Sequence, residues 1–266
     1  MLIVQISDTH LVGRGKLTLG IAPMAENLAD CVDHINRLNP KPDVVLVTGD
    51  ITDTGLIEEV EHAAGILRKL NCPFYVAPGN HDELSALWSV FGENECPSRI
   101  GQSINYVIEG FDVRLIGMDS TRPDAPGGEL CQTRLSWLDD RLSEANNQPT
   151  IIFMHHPPIK LGVLESDKDG FIGADSLGKI IENYSNIERL ICGHIHLPAL
   201  ARWHGTIVSA APATGMKLGL DLSMTKKSEF FLEKPSYHLH YWTADQSLIT
   251  HTVNISEAGG PYPFEE

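Results

Sequence analysis

Six short apolar runs rich in β-branched residues recur through the first two thirds of this chain, and they limit its folds more than any other feature. Residues 2–6, 43–48, 74–77, 113–118, 150–154 and 189–192 have the length of strands and are nearly continuous in apolar character, the mark of strands covered on both faces. The covers are legible between them. Leu56, Ile57, Val60, Ala64, Leu67 and Leu70 fall at three- and four-residue steps, as one face of a helix does. Leu135, Leu138 and Leu142 repeat that spacing, as do Leu177, Ile180, Ile181 and Tyr184. Strands alternating with helices predict an α/β chain.

The last third changes character. Residues 206–211, 237–242 and 248–255 read as strands with few helices between them, which predicts a second, more antiparallel sheet packed on the first. The expected class is α/β (α+β), a sandwich with helices outside. Residues 11–20, 121–130, 157–170 and 214–235 are rich in Gly, Pro and polar side chains and should be loops walling a binding site. No repeat or low-complexity linker divides the 266 residues, so 1–266 is taken as one domain. No apolar run approaches the roughly 18 residues that span a bilayer. The opening MLIVQISDTH lacks the basic stretch and cleavage site of a secretory signal. Cys31, Cys72, Cys96, Cys131 and Cys192 are odd in number and without CxxC spacing, which fits reduced thiols. A cytoplasmic protein with no membrane partner is expected.

Five predicted strands end in groups that can bind metal: Asp8-Thr9-His10, Gly49-Asp50, Gly79-Asn80-His81-Asp82, His155-His156-Pro157-Pro158 and Gly193-His194-Ile195-His196. Open α/β sheets bind their ligands at the C-terminal ends of strands. In extended chain, residues two apart point the same way, so Asp8 can converge with His10, and His194 with His196. The glycines before Asp50, Asn80 and His194 permit sharp exits from the strands. A plainer account has Asp8 and Asp50 capping helices and the histidines filling polar gaps. Capping gives no reason for six of the twelve histidines to gather at these strand ends.

The order DxH, GD, GNH, HxP, GHxH, running from residue 8 to 196, resembles the calcineurin-like metallophosphoesterases. The branch it looks most like is the class III cyclic-nucleotide phosphodiesterases and their glycerophosphodiesterase relatives. That resemblance implies a four-layer αββα sandwich of two mixed sheets, with two divalent metal ions (Fe, Mn, Zn or Co) at the strand ends. Carried over by motif, Asp8, His10, Asp50 and His196 would hold one metal. Asp50, Asn80, His155 and His194 would hold the other, with Asp50 bridging. A hydroxide bridging the metals would attack phosphorus. His81 would stabilise the phosphoryl charge or protonate the leaving alkoxide, so His81 and Asp50 are the catalytic expectations and Asn80, His81 and His156 the substrate-binding ones. Of the neighbours His155 and His156, the H-x-P pattern selects His155 as ligand, leaving His156 to line the substrate side or fix a loop.

Departures narrow the resemblance. Thr54 stands in GDITDTG where the protein phosphatases of the superfamily carry an arginine, so a phosphoprotein substrate is disfavoured. Asp53 stands where purple acid phosphatases carry a tyrosine ligand. The net charge of −15 argues against a basic surface for nucleic acid polymers, so the positive potential a phosphodiester needs would come from the metals themselves. The substrate class is then a small diester, a 3′,5′-cyclic nucleotide or a glycerophosphodiester. The alternatives are a phosphomonoesterase or nucleotide pyrophosphatase, or a non-catalytic metal-binding scaffold, although all seven ligand positions are filled. Asp53 and Asp82 either support ligands or form turns and caps. His238 and His240 are expected on a sheet surface, and Trp203, Trp242, Phe230 and Phe231 in the core or a subunit contact. Residues 214–235 are a candidate cap or homo-oligomer segment.

Overall fold

All nine expected strands form, and the computed structural model describes them within residues 1–97, 103–255 and 262–263. The first half runs β1 (Leu2–Ile6), α1 (Met24–Arg37), β2 (Val44–Thr48), α2 (Ile57–Leu67), β3 (Phe74–Ala77), α3 (Leu84–Glu95), β4 (Tyr106–Ile108), β5 (Arg114–Gly117), β6 (Gly128–Glu129) and α4 (Gln132–Glu144). It continues with β7 (Thr150–Phe153), α5 (Leu164–Asp169), β8 (Phe171–Ile172), α6 (Ala174–Glu182), β9 (Ile187–Cys192), β10 (Ala199–Trp203) and β11 (Thr206–Ala210). The chain then forms β12 (Met216–Leu218), β13 (Phe230–Leu232), β14 (Ser236–Trp242) and β15 (Leu248–Asn254).

Two large sheets result. One has the order β15-β14-β1-β2-β3, with β1, β2 and β3 parallel and β14 and β15 antiparallel. The other has the order β10-β11-β9-β7-β5-β4, parallel from β11 to β5 with antiparallel strands at both edges. The late strands therefore do not build the separate second sheet that the sequence predicts. β14 and β15 extend the first sheet, while β10 and β11 extend the second. Side-chain alternation tells which face of a strand is covered and says nothing of which free edge it joins.

Alternation also sorts the layers. Along β7, Ile151 and Phe153 pack into the large core that contains β1, β2 and α1 to α3. Ile152 and the adjoining Met154 pack instead with Leu135, Leu138, Leu177 and Ile181 of α4 and α6. The order is helix, sheet, sheet, helix: a four-layer αββα sandwich. α1 joins the expected helices by burying Met24, Leu28, Cys31, Val32 and Ile35, a face whose three- and four-residue spacing is visible in the sequence. The expected loops at 157–170 and 214–235 contain α5 and the small β12–β13 hairpin. Among the described residues no helix is long and apolar enough to cross a membrane.

Candidate metal centre

The seven expected ligands all leave the C-terminal ends of parallel strands: Asp8 and His10 after β1, Asp50 after β2, Asn80 after β3, His155 after β7, His194 and His196 after β9. Four come from one sheet and three from the other, so the cluster straddles the seam of the sandwich. Five of them (Asp8, His10, Asp50, His194 and His196) hold φ values between 40° and 72°. For a residue with a Cβ this conformation costs about 1 kcal/mol or more, and it persists where the surroundings enforce it. Gly49 takes φ +87°, and a Cβ there would also lie 2.5 Å from the His155 ring. Gly79 and Gly193 serve a different need, since their φ is ordinary but a Cβ would collide with Asp50 and with Ser7.

Asp50 occupies the middle. Its Oδ1 accepts a hydrogen bond from the His81 backbone N–H at 2.9 Å, while Oδ2 lies 3.2 Å from His155 Nε2 and 3.6 Å from His10 Nε2. To one side, His10 Nε2 is 3.1 Å from His196 Nε2, which is 3.5 Å from Asp8 Oδ1. To the other, donor atoms of His155, His156 and His194 lie within 4.8 Å of one another. The Asp8 carboxylate also accepts from the His194 N–H at 3.0 and 3.2 Å, joining the two sheets.

Backbone carbonyls decide which nitrogens face inward. His155 Nδ1 donates to the Thr48 carbonyl at 2.8 Å, His196 Nδ1 to Met216 at 2.7 Å, and His81 Nδ1 to Asp53 at 2.7 Å. A carbonyl only accepts, so each Nδ1 carries a proton, and Nε2 presents a lone pair once the ring is neutral. His155 Nε2 is buried without a hydrogen-bond partner. Imidazole lone pairs converging with carboxylate oxygens form a donor set that fits a divalent transition metal. The sequence offers no signal for these carbonyls, because any residue supplies one.

The charges within the cluster are coupled. Burial by itself would depress His155, but the Asp50 carboxylate outweighs it and lifts the imidazole to about 9. Burial would raise Asp50, but His155 and then His10 hold it well below the usual carboxylate range. His194 is pushed down to about 4 by burial and then by His155. His196 is lowered chiefly by burial.

The remaining expected residues divide. His156 has both ring nitrogens engaged, Nδ1 with Ser120 Oγ at 2.9 Å, and Nε2 with Asn80 Oδ1 at 3.2 Å and the Pro126 carbonyl at 3.1 Å. It thereby ties Asn80 to the loop before β6. His81 stands edge-on to His10 with centroids 4.7 Å apart. Asp53 Oδ1 lies 3.4 Å from His10 Nδ1. Asp82 accepts from the backbone N–H groups of Ile51, Thr52 and Gly79 and from the Thr52 hydroxyl, so it clamps the loops after β2 and β3. His238 and His240 are not on a sheet surface. Both are buried between the sheets, because β14 pairs with β1 and its even-numbered side chains face the second sheet. Trp242 is in the core and Trp203 packs against the second core, whereas Phe231 is exposed on the hairpin.

Residues 1–198 match the family model for calcineurin-like phosphoesterases. The chain belongs to the calcineurin-like phosphoesterase family. Among relatives of this calcineurin-like chain, a protein of Arcobacter nitrofigilis named "Probable glycerophosphodiester phosphodiesterase GpdQ" is 40% identical over 99% of this chain and 97% of its own length. A protein of Rhodopseudomonas palustris named "Probable cyclic nucleotide phosphodiesterase" is 32% identical over 94% of this chain and 91% of its own. The crystal structure of a dimetal phosphatase from Danio rerio superposes with a TM-score of 0.70, covering 96% of this chain and 99% of that one at 13% identity, which shows the shared fold.

Proposed function

We propose that this calcineurin-like phosphoesterase is a metal-dependent phosphodiesterase whose substrates are small glycerophosphodiesters. The observation that carries the reading is the position of Asp50 Oδ2 between His155 Nε2 and His10 Nε2, one on each side of the cluster. Asp8, His10, Asp50 and His196 would hold one divalent ion, and Asp50, Asn80, His155 and His194 the other. Two such ions supply a Lewis-acidic clamp for the phosphoryl group and activate a water near neutral pH. Fe, Mn, Zn and Co all suit imidazole and carboxylate donors.

The protein's own groups then orient the substrate. His81 Nδ1 donates to the Asp53 carbonyl, which turns Nε2 toward the substrate; in the imidazolium form its Nε2–H would hydrogen-bond the phosphoryl oxygen or protonate the departing alkoxide. His156 fixes the Asn80 amide, and beyond Asn80 a cavity of about 910 Å³, lined also by Glu83, Trp88, Arg122 and Pro126, has room for an alcohol headgroup. The glycerophosphodiester choice is supported by the relative that matches nearly end to end at 40% identity; the 32% relative keeps 3′,5′-cyclic nucleotides as the second substrate class. The net charge of −15 supports small esters over nucleic acid polymers. Five unpaired cysteines support a reducing, cytoplasmic compartment, and the β12–β13 hairpin with its exposed Phe231 and Leu232 supports residues 214–235 as a cap or homo-oligomer contact on a single domain.

The test is a panel of glycerophosphoethanolamine, cyclic AMP, cyclic GMP and phosphomonoesters, each with Mn(II), Fe(II), Zn(II) or Co(II). The highest kcat/KM is expected on the glycerophosphodiester. A higher value on a cyclic nucleotide replaces the substrate, and a higher value on monoesters replaces the reaction class. Asp50→Ala should abolish turnover and binding of both metals; turnover that survives in metal-free buffer would contradict the dinuclear reading.

A further inference from the structure

Because the ligands are shared between two sheets, the geometry of the centre depends on how those sheets are registered at their seam. Apolar packing between sheets is non-directional and leaves small displacements inexpensive; hydrogen bonds across the seam do not. One buried polar chain, made of residues that are not ligands, crosses there. Gln5 of β1 is fully buried, and its Nε2 donates to Thr48 Oγ1 at 2.9 Å in its own sheet and to the Cys192 carbonyl at 2.8 Å in the other. Thr48 and Cys192 end β2 and β9, each two residues before a candidate ligand, Asp50 and His194. The Thr48 carbonyl is also the acceptor that orients His155.

Behind Gln5, its Oε1 meets His240 Nε2 at 3.1 Å, His240 Nδ1 meets Thr250 Oγ1 at 2.8 Å, and Thr250 Oγ1 accepts from the Arg189 guanidinium of β9. Both ends of this chain have fixed roles. The Cys192 carbonyl can only accept and the Arg189 guanidinium can only donate. The amide N–H group must therefore face the strand ends, Gln5 Oε1 must face His240, and His240 must donate from Nε2, which in a neutral ring leaves Nδ1 to accept from the Thr250 hydroxyl. Burial, then His238 and Arg189, holds His240 well below its ordinary range, in keeping with a neutral ring.

We infer that Gln5 and His240 are positioning residues for the metal centre, locking the ends of β2 and β9 at one separation and so placing Asp50, His155 and His194 for the metals. The inference rests on the reading of those three residues as ligands. Groups that orient metal ligands from behind typically change affinity by about 10–100-fold when removed.

Mn(II) titration of the chelator-stripped protein tests it, with thermal unfolding in parallel. Gln5→Met keeps length and removes the bonds to Thr48, Cys192 and His240; His240→Phe removes only the rear support. Ile3→Val, buried on the same face of β1, is the control for stability loss alone. The expected result is a Kd for Mn(II) raised about tenfold or more in Gln5→Met, a smaller rise in His240→Phe, and no change in Ile3→Val. An unchanged Kd in Gln5→Met, or an equal rise in the control, overturns the positioning role while leaving the ligands in place. Failure of the unaltered protein to bind Mn(II) overturns the ligand reading and this inference together. Should Gln5→Met not fold, the ring-nitrogen ¹⁵N spectrum of the unaltered protein decides. His240 should be neutral with the proton on Nε2, and an Nδ1–H tautomer or an imidazolium near neutral pH refutes the chain.

Discussion

At His155 the structure sets up a competition between a proton and a metal ion. Burial disfavours its charge, yet Asp50 at 3.2 Å raises it to about 9, so at pH 7.5 the metal-free side chain is protonated. A ligating imidazole must be neutral, so metal binding at the proposed ligand His155 would displace that proton. Calorimetric titration with Zn(II) at pH 7.5, in buffers of differing ionisation enthalpy, should report about one proton released from this residue, fading above pH 9. Zero release at pH 7.5 would show that His155 is not displaced. The sign for stability follows from the same shift. A histidine raised from 6.5 to about 9 stabilises the metal-free fold fully below pH 6.5, and that contribution is lost as pH rises through 9.

At the level of elements, the centre is assembled by loops that begin where parallel strands stop. The loops after β1 and β2 keep hydrogen-bonding beyond the strands, through His10 N–H to the Asp50 carbonyl at 2.9 Å and Leu11 N–H to Ile51 at 3.0 Å. Among the described residues the loop after β3 has no such ladder, and it is held by Asp82, whose carboxylate reaches Ile51, Thr52 and Gly79. Bonds to a charged acceptor contribute about 1.5–3 kcal/mol each net of exchange with water, and the burial that raises the Asp82 carboxyl offsets part of their sum. Asp82→Ala should therefore destabilise the protein by about 2–4 kcal/mol in urea unfolding and weaken binding of the metal that Asn80 is proposed to hold. A loss under about 0.5 kcal/mol would show that the loops do not depend on this clamp. Asp82 was visible in GNHD, but its choice between a turn residue and a support could not be made there, because the donors it binds at Ile51 and Thr52 lie some thirty positions away.

Across the whole molecule, several histidines are buried and neutral. His194 and His238 are both pushed down to about 4, His194 by burial and then His155, His238 by burial and then Arg189. In the unfolded chain each takes up a proton near pH 6.5, well before the folded chain does. The unfolded state thus binds more protons between pH 6.5 and 4, and stability falls as pH drops through that window. Urea midpoints for the metal-free protein should be lower at pH 5 than at pH 7, and replacing His238 by Asn should reduce the difference. Equal midpoints at the two pH values would mean that these rings are not buried neutral.

The division between what was legible and what was not follows from the range of the interactions. Strand ends carrying Asp8, His10, Asp50, Asn80, His155, His194 and His196 could be read from the chain because apolar runs, glycines and ligand pairs are patterns within a few residues. The helix faces of α2, α4 and α6 are local for the same reason, and so, in retrospect, is that of α1. Which sheet β14 and β15 join is not local, and on that depends whether His238 and His240 meet water or the interior. Nor could the sequence say that Thr48 and Met216 carbonyls set the histidine tautomers, since a carbonyl has no residue type. The sequence determined the candidate donors of the centre and the strand ends that carry them. Only the tertiary structure decided their orientation, because that depends on the register of two sheets held by hydrogen bonds between residues far apart in the chain.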